Sequence, residues 1–265
     1  MEREDWSRIN REAWNEAEPI HARRRFQRSL EMFRRPGFSC LRPVTRQRLL
    51  EHGLRGRAVF QPCCHDGRHI LSIKNLGAGR CVGFDLSDRF VAQGRKLAAA
   101  SGIECELVRA DVYRLGEAYD GQFDIAYIAA GTHPWLPDLG GFFAAIRRLL
   151  RPGAWLFMQD MHPILNMFSM EASKRPRRWR SSYFMGGVHR STGGLDYYAA
   201  RRYRARPAGC FHHKLSDIVQ AVVESGLELE SLEEGADDVS GGWARHLARR
   251  KLRLPLSFTL TATAP

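Results

Sequence analysis

No apolar run in this chain is long enough to cross a bilayer, so a membrane-spanning helix is not expected. The opening residues Met1-Glu2-Arg3-Glu4-Asp5 lack the basic and apolar regions of a signal peptide. Cysteine is sparse and scattered: six residues, two of them adjacent (Cys63, Cys64), suggest no disulfide framework and favour a reducing, cytoplasmic setting. Internal repeats are absent. Metal-ligand spacing is absent as well. Cys63, Cys64, His65 and His69 lie close together, but adjacent cysteines lack the two-residue gap usual for zinc ligands. No paired carboxylate set suited to magnesium is evident either, and no metal is expected. Acidic residues are in deficit, 29 against 41 basic ones, leaving a net charge of +12.

What is present describes a soluble globular chain. Hydrophobic residues make up 44% and aromatics 10% of 265 residues, enough for one large domain or one domain with an elaborated cap. The charge is unevenly placed. Ala58 to Asp160 carries 11 basic and 11 acidic residues, so the whole basic excess lies outside that stretch. It gathers in Arg23-Arg24-Arg25, Arg34-Arg35, Lys174 to Arg180, Arg201 to Arg206 and Arg245 to Arg253. Such clusters suit nucleic acid or acidic ligands, or simply form a solvated surface.

Trp6 to about Leu54 reads as helical, with Trp14, Ile20, Phe26, Leu30 and Phe33 spaced for one face and a break at Pro36-Gly37. From Ala58 the texture changes to short apolar runs alternating with helical stretches. Strands are predicted at Ala58–Phe60, Cys81–Phe84, Glu104–Val108, Phe123–Ile128 and Trp155–Met158. Helices are predicted up to Asn75, after Ser87 and over Leu139–Leu150. That alternation implies a doubly wound α/β fold whose strand C-termini share one ligand-binding edge. Residues 163–210 break the pattern and are expected to form an inserted cap. A helix at Leu215–Ser225 and strands at Leu227–Leu232 and Leu256–Thr263 then complete the sheet. The expected organisation is a helical cap over 1–57, a cofactor-binding core over 58–162, the insert over 163–210, and a closing unit over 211–265.

The turn Gln61-Pro62-Cys63-Cys64-His65-Asp66-Gly67 follows the first strand, where a cofactor-binding loop belongs. Asp85 ends the second strand, well placed to accept hydrogen bonds from a ribose diol. Asp111, between Ala110 and Val112, follows the third and could face an adenine amino group.

These segments, with Gly83-Phe84-Asp85-Leu86-Ser87, Phe123-Asp124-Ile125, Trp135-Leu136-Pro137-Asp138-Leu139 and Leu150-Arg151-Pro152-Gly153, resemble class I S-adenosylmethionine-dependent methyltransferases. His162-Pro163 after the fifth strand and the terminal Leu254-Pro255-Leu256-Ser257-Phe258-Thr259-Leu260 extend the resemblance to a small-molecule subgroup. It covers about Arg57 to His162 and Phe211 to Pro265. The resemblance implies a Rossmann-like, mostly parallel seven-stranded sheet and S-adenosyl-L-methionine as cofactor. Its cofactor-binding residues would be Gln61, Cys63, Gly67, Asp85, Leu86, Asp111, Val112 and Ala129. The family's acidic residue and first two loop glycines are here Gln61, Cys63 and His65, a departure that narrows the room for backbone to approach the cofactor.

The implied reaction is methyl transfer to N, O, S or C of a small-molecule acceptor by in-line displacement, in specialised metabolism. Transfer to an oxygen or a protonated amine needs a proton acceptor, and His213, His162 and His133 are the candidates. The N-terminal helices with Trp14, His21 and Phe26, and the insert with Trp179, Tyr183 and Tyr197, are expected to wall the acceptor pocket. Two other readings stay open: an RNA or DNA methyltransferase using the basic cap, and a non-catalytic protein retaining the fold. Against the first, Ala129-Ala130-Gly131-Thr132-His133-Pro134-Trp135 lacks the Asp/Asn-Pro-Pro-aromatic motif that holds exocyclic base amines. The assembly state is left open, a homodimer being one option.

Overall fold

A computed structural model describes residues 2–168, 181–196, 203–241, 244–249 and 253–265. The basic run Lys174 to Arg180, and with it Trp179, as well as Tyr197, lie outside the described residues.

The chain opens with one long helix, α1 (Arg3–Phe33), and a shorter one, α2 (Pro43–Glu51). α1 continues through Pro19. Proline cannot donate to the carbonyl four residues back, and Arg89 Nη1 donates to that carbonyl, of Asn15, at 3.3 Å. The alternating region then supplies β1 (Val59–Gln61), α3 (Arg68–Asn75), β2 (Cys81–Asp85), α4 (Asp88–Ser101), β3 (Glu106–Arg109), β4 (Phe123–Ile128), α5 (Leu139–Leu149) and β5 (Leu150–Met161). β6 (Val188–Ser191) and β7 (Ala208–Phe211) form a separate antiparallel pair in the expected insert, with β7 ending one residue beyond its predicted boundary at 210. α6 (Leu215–Glu224), β8 (Glu228–Gly235) and β9 (Ser257–Thr263) finish the main sheet.

The sheet runs β3-β2-β1-β4-β5-β9-β8. The first five strands are parallel, and β9 pairs antiparallel with both β5 and β8. This is the mostly parallel, seven-stranded Rossmann-like sheet expected. β5 is longer than predicted at both ends: Leu150 pairs with Phe123 of β4, and β9 pairs along it from Trp155↔Thr263 to Met161↔Ser257. Both sheet faces are covered: α2, α3 and α4 lie over Val59, Ile125, Tyr127 and Phe157, and α5 and α6 over Phe60, Val82, Leu156 and Leu260. Strand order reverses between β1 and β4, and the crevice there is where open α/β sheets bind ligands.

Candidate functional site

Three strand ends converge beside that crevice. The Cys64 amide donates to the Phe84 carbonyl and the Ala110 amide to the Asp85 carbonyl, each at 2.9 Å. Asp85 joins two loops: Oδ2 accepts from the His65 amide at 2.7 Å and Oδ1 from the Ser87 amide at 2.9 Å. Burial raises the Asp85 pKa, against the lowering effect of those amides. Each carboxylate oxygen retains a second lone pair for a ligand hydroxyl.

The β1 loop departs from the expected sequence but keeps a glycine-type backbone. Cys63 and His65 lie at φ +52° and +54°, and Gly67 at +73°. Left-handed backbone is uncommon outside glycine and costs on the order of 1–3 kcal/mol per residue. Glycines on the facing elements keep the loop close. A Cβ at Gly83 would lie 2.8 Å from Cys64 Sγ, and one at Gly94 2.9 Å from the Asp66 carbonyl. The Cys63 thiol packs into the core, and its pKa is pushed far up by burial and by neighbouring aspartates. Gln61 is 2% exposed, and its Oε1 is buried without a hydrogen-bond partner. That vacant acceptor suits an ammonium group, so this loop fits an amino-acid-bearing cofactor even without the family's acid. Asp111 caps the short 3-10 turn Val112–Arg114, with Oδ1 accepting from the Tyr113 amide at 3.1 Å. Leu86 is half-buried, while Val112 and Ala129 are buried.

α1 lies along this edge and is anchored at both loops. Arg11 Nη2 meets the two Asp88 oxygens at 2.8 and 3.0 Å, and Asn15 Oδ1 accepts from Ser87 Oγ at 2.6 Å. Asn10 exchanges two hydrogen bonds with the Gly209 backbone. Trp14 contacts His65, Phe90, His21 and Trp135, its ring 4.8 Å from that of Trp135. From the described part of the insert, the Tyr183 hydroxyl accepts from the Leu215 amide at 3.0 Å. Several arginines of the basic excess serve as anchors of this kind: Arg3 with Asp138, Arg48 with Glu233, and Arg206 with Glu12.

The three candidate histidines have different settings. His162 caps a 3-10 turn, with Nδ1 accepting from the Ile164 amide at 3.0 Å and Nε2 2.8 Å from Glu234 Oε1. Nδ1 is thus used by the cap, while Nε2 meets Glu234 at ion-pair distance without hydrogen-bond alignment. His133 lies 1% exposed in the loop after β4, its Nδ1 2.9 Å from Asp160 Oδ2, an ion-pair distance without hydrogen-bond alignment. His213 follows β7, and its Nε2 lies 2.8 Å from the Leu136 carbonyl. A carbonyl only accepts, so Nε2 carries the proton and Nδ1 keeps its lone pair. Burial lowers the His213 pKa, leaving the ring neutral at neutral pH. The His133 and His213 ring centroids are 6.5 Å apart.

Sequence reasoning missed Asp160. This wholly buried carboxylate at the end of β5 accepts from the amides of Gly131, Thr132 and His133 and so sets the loop after β4. An acid at a fifth strand end, two residues before His162-Pro163, was the available signal.

A family profile described as a methyltransferase domain matches residues 59–153. A ubiquinone biosynthesis O-methyltransferase from Thiobacillus denitrificans is 32% identical over 182 residues, covering 68% of each chain. A 2-phytyl-1,4-naphtoquinone methyltransferase from Synechococcus elongatus is 32% identical over 121 residues, 43% of this chain and 51% of that one. Among solved structures, an S-adenosylmethionine-dependent methyltransferase from Mesorhizobium loti superposes with a TM-score of 0.59 at 23% identity, covering 79% of this chain and 92% of that one.

Proposed function

The chain belongs to the S-adenosylmethionine-dependent methyltransferases, and on that premise we propose that it methylates a hydroxyl oxygen of a small aromatic acceptor in a biosynthetic route, with His213 taking the hydroxyl proton. The bound cofactor supplies a methyl group on a sulfonium centre, which an acceptor atom can displace directly. Gln61 Oε1 would accept from the cofactor's ammonium group and Asp85 from its ribose, with the backbone at Cys63 and Gly67 bordering its amino-acid end. Leu86, Asp111 and Val112 would surround the adenine, and Ala129 would border the crevice from β4.

The observation that carries the acceptor assignment is the fixed orientation of His213. With Nε2–H directed at the Leu136 carbonyl, Nδ1 is a neutral acceptor at the edge where the acceptor must dock. Proton removal by a positioned base contributes about 10²–10⁴-fold to rate. Trp14 and Trp135 offer flat apolar walls for an aromatic ring. The Thiobacillus relative, whose name specifies O-methylation, supports oxygen as the nucleophile. A radiolabelled methyl-transfer screen over hydroxylated aromatics, aromatic amines and thiols tests this. Label on hydroxylated aromatics is the expected outcome; label confined to amines or thiols would overturn the oxygen assignment.

A further inference from the structure

His65 takes no part in that proton transfer, yet it is built into the loop at some cost. It holds a left-handed φ of +54° at a position where a glycine would be unstrained. Its ring packs 3.6 Å from that of Phe90 and lies against Trp14 and His21 of α1, at 5.6 and 5.5 Å. Nδ1 is 3.5 Å from Asp66 Oδ1, and Asp66 pairs with Arg68 at 2.7 Å. The His65–Asp66 contact is longer than a good hydrogen bond, but a carboxylate only accepts, so the neutral tautomer it favours holds its proton on Nδ1 and presents Nε2 as an acceptor. That Nε2 is buried with no hydrogen-bond partner. Strained backbone and an orphaned polar atom in one residue persist where a ligand or a reaction uses them. The same residue's amide donates to Asp85 at 2.7 Å, which places it beside the acid assigned to the ribose.

We infer that His65 Nε2 is a second ribose acceptor, taking a hydrogen bond from a cofactor hydroxyl next to Asp85. This rests on Asp85 binding the ribose. The left-handed backbone then has two uses: it aims the amide at Asp85 and sends the ring over the sugar. A glycine there would provide the first only.

The test is calorimetric titration of wild type and His65→Asn with S-adenosylhomocysteine and its 2′-deoxy and 3′-deoxy counterparts. Asparagine tolerates the left-handed backbone and keeps the amide bond to Asp85, but its side chain is shorter than an imidazole. In wild type, loss of the coupled hydroxyl should weaken binding about 3- to 10-fold more than it does in the variant. Equal penalties in the two proteins would reduce His65 to packing while leaving the Asp85 assignment intact. Failure of wild type to bind S-adenosylhomocysteine at all would overturn both. Should His65→Asn not fold, the ring ¹⁵N resonances of wild-type His65 decide. A shift of Nε2 with S-adenosylhomocysteine that one deoxy ligand fails to produce supports the inference; identical shifts with all three ligands overturn it.

Discussion

Asp160 Oδ2, at the end of β5, lies 2.9 Å from both the backbone nitrogen and the Nδ1 of His133, so the carboxylate that holds the loop also lies against the ring it carries. An amide in its place would turn an NH₂ group toward backbone donors. Each buried donor left unpaired costs about 1–3 kcal/mol. Asp160→Asn is therefore expected to lose about 2–4 kcal/mol in urea unfolding. A loss below about 0.5 kcal/mol, the scatter of an ordinary surface substitution, would contradict this role.

His213 and His162 should separate cleanly. His213→Gln is expected to lose about 10²–10⁴-fold in turnover while binding S-adenosylhomocysteine as wild type does. His162→Gln, which breaks the cap at Ile164 and the contact to Glu234, should lower stability and leave turnover close to wild type. Single-turnover rates alongside thermal melts check both, and a large turnover loss in His162→Gln alone would reverse the assignment.

Acid should loosen the N-terminal side of the site. Burial lowers the pKa of His21 on α1 and of His69 on α3, each to about 4. Both rings are neutral in the folded protein at pH values where the unfolded chain binds protons at about 6.5. Their contribution is therefore fully present above that value and is lost as pH falls from about 6.5 toward 4, on the order of 3 kcal/mol per ring. Urea unfolding across this window should show falling stability, with a shallower fall in His69→Gln. Equal slopes in the two proteins would contradict the assignment to His69.

The backbone at Cys63 separates two substitutions by the size of their effect. Cys63→Gly removes the cost of φ +52° but also the buried thiol, and should change stability by no more than about 1 kcal/mol. Cys63→Val places a β-branched side chain where left-handed backbone is least tolerated and should cost more than about 2 kcal/mol. Equal melting temperatures for the two variants would show that the loop relaxes out of this conformation.

The sheet was legible because its strands are short apolar runs: the predicted bounds of Phe123–Ile128 match β4, and Asp85 closes β2. Two long-range effects hid the rest. The helical reading runs through Pro19, but local pattern cannot show that Arg89, far along the chain, donates to the Asn15 carbonyl that the proline leaves without its helical donor. β6 and β7 are too short to announce themselves and are defined by pairing across the insert. In the site, Asp85 and Gly67 could be found from position alone. That Cys63 and His65 hold a glycine backbone could not, because the room for it comes from Gly83 and Gly94 on other elements. Asp160 escaped notice for a similar reason, its partners lying in a different loop.

Calorimetric titration of S-adenosylhomocysteine into wild type and Asp85→Ala tests where the cofactor binds. Saturable one-site binding to wild type is expected, weakened in Asp85→Ala by roughly 1–3 kcal/mol, as for loss of a charge-assisted hydrogen bond. No heat of binding to wild type at millimolar ligand, or equal affinity in the two proteins, would contradict the assignment of the cofactor to the ends of β1 and β2.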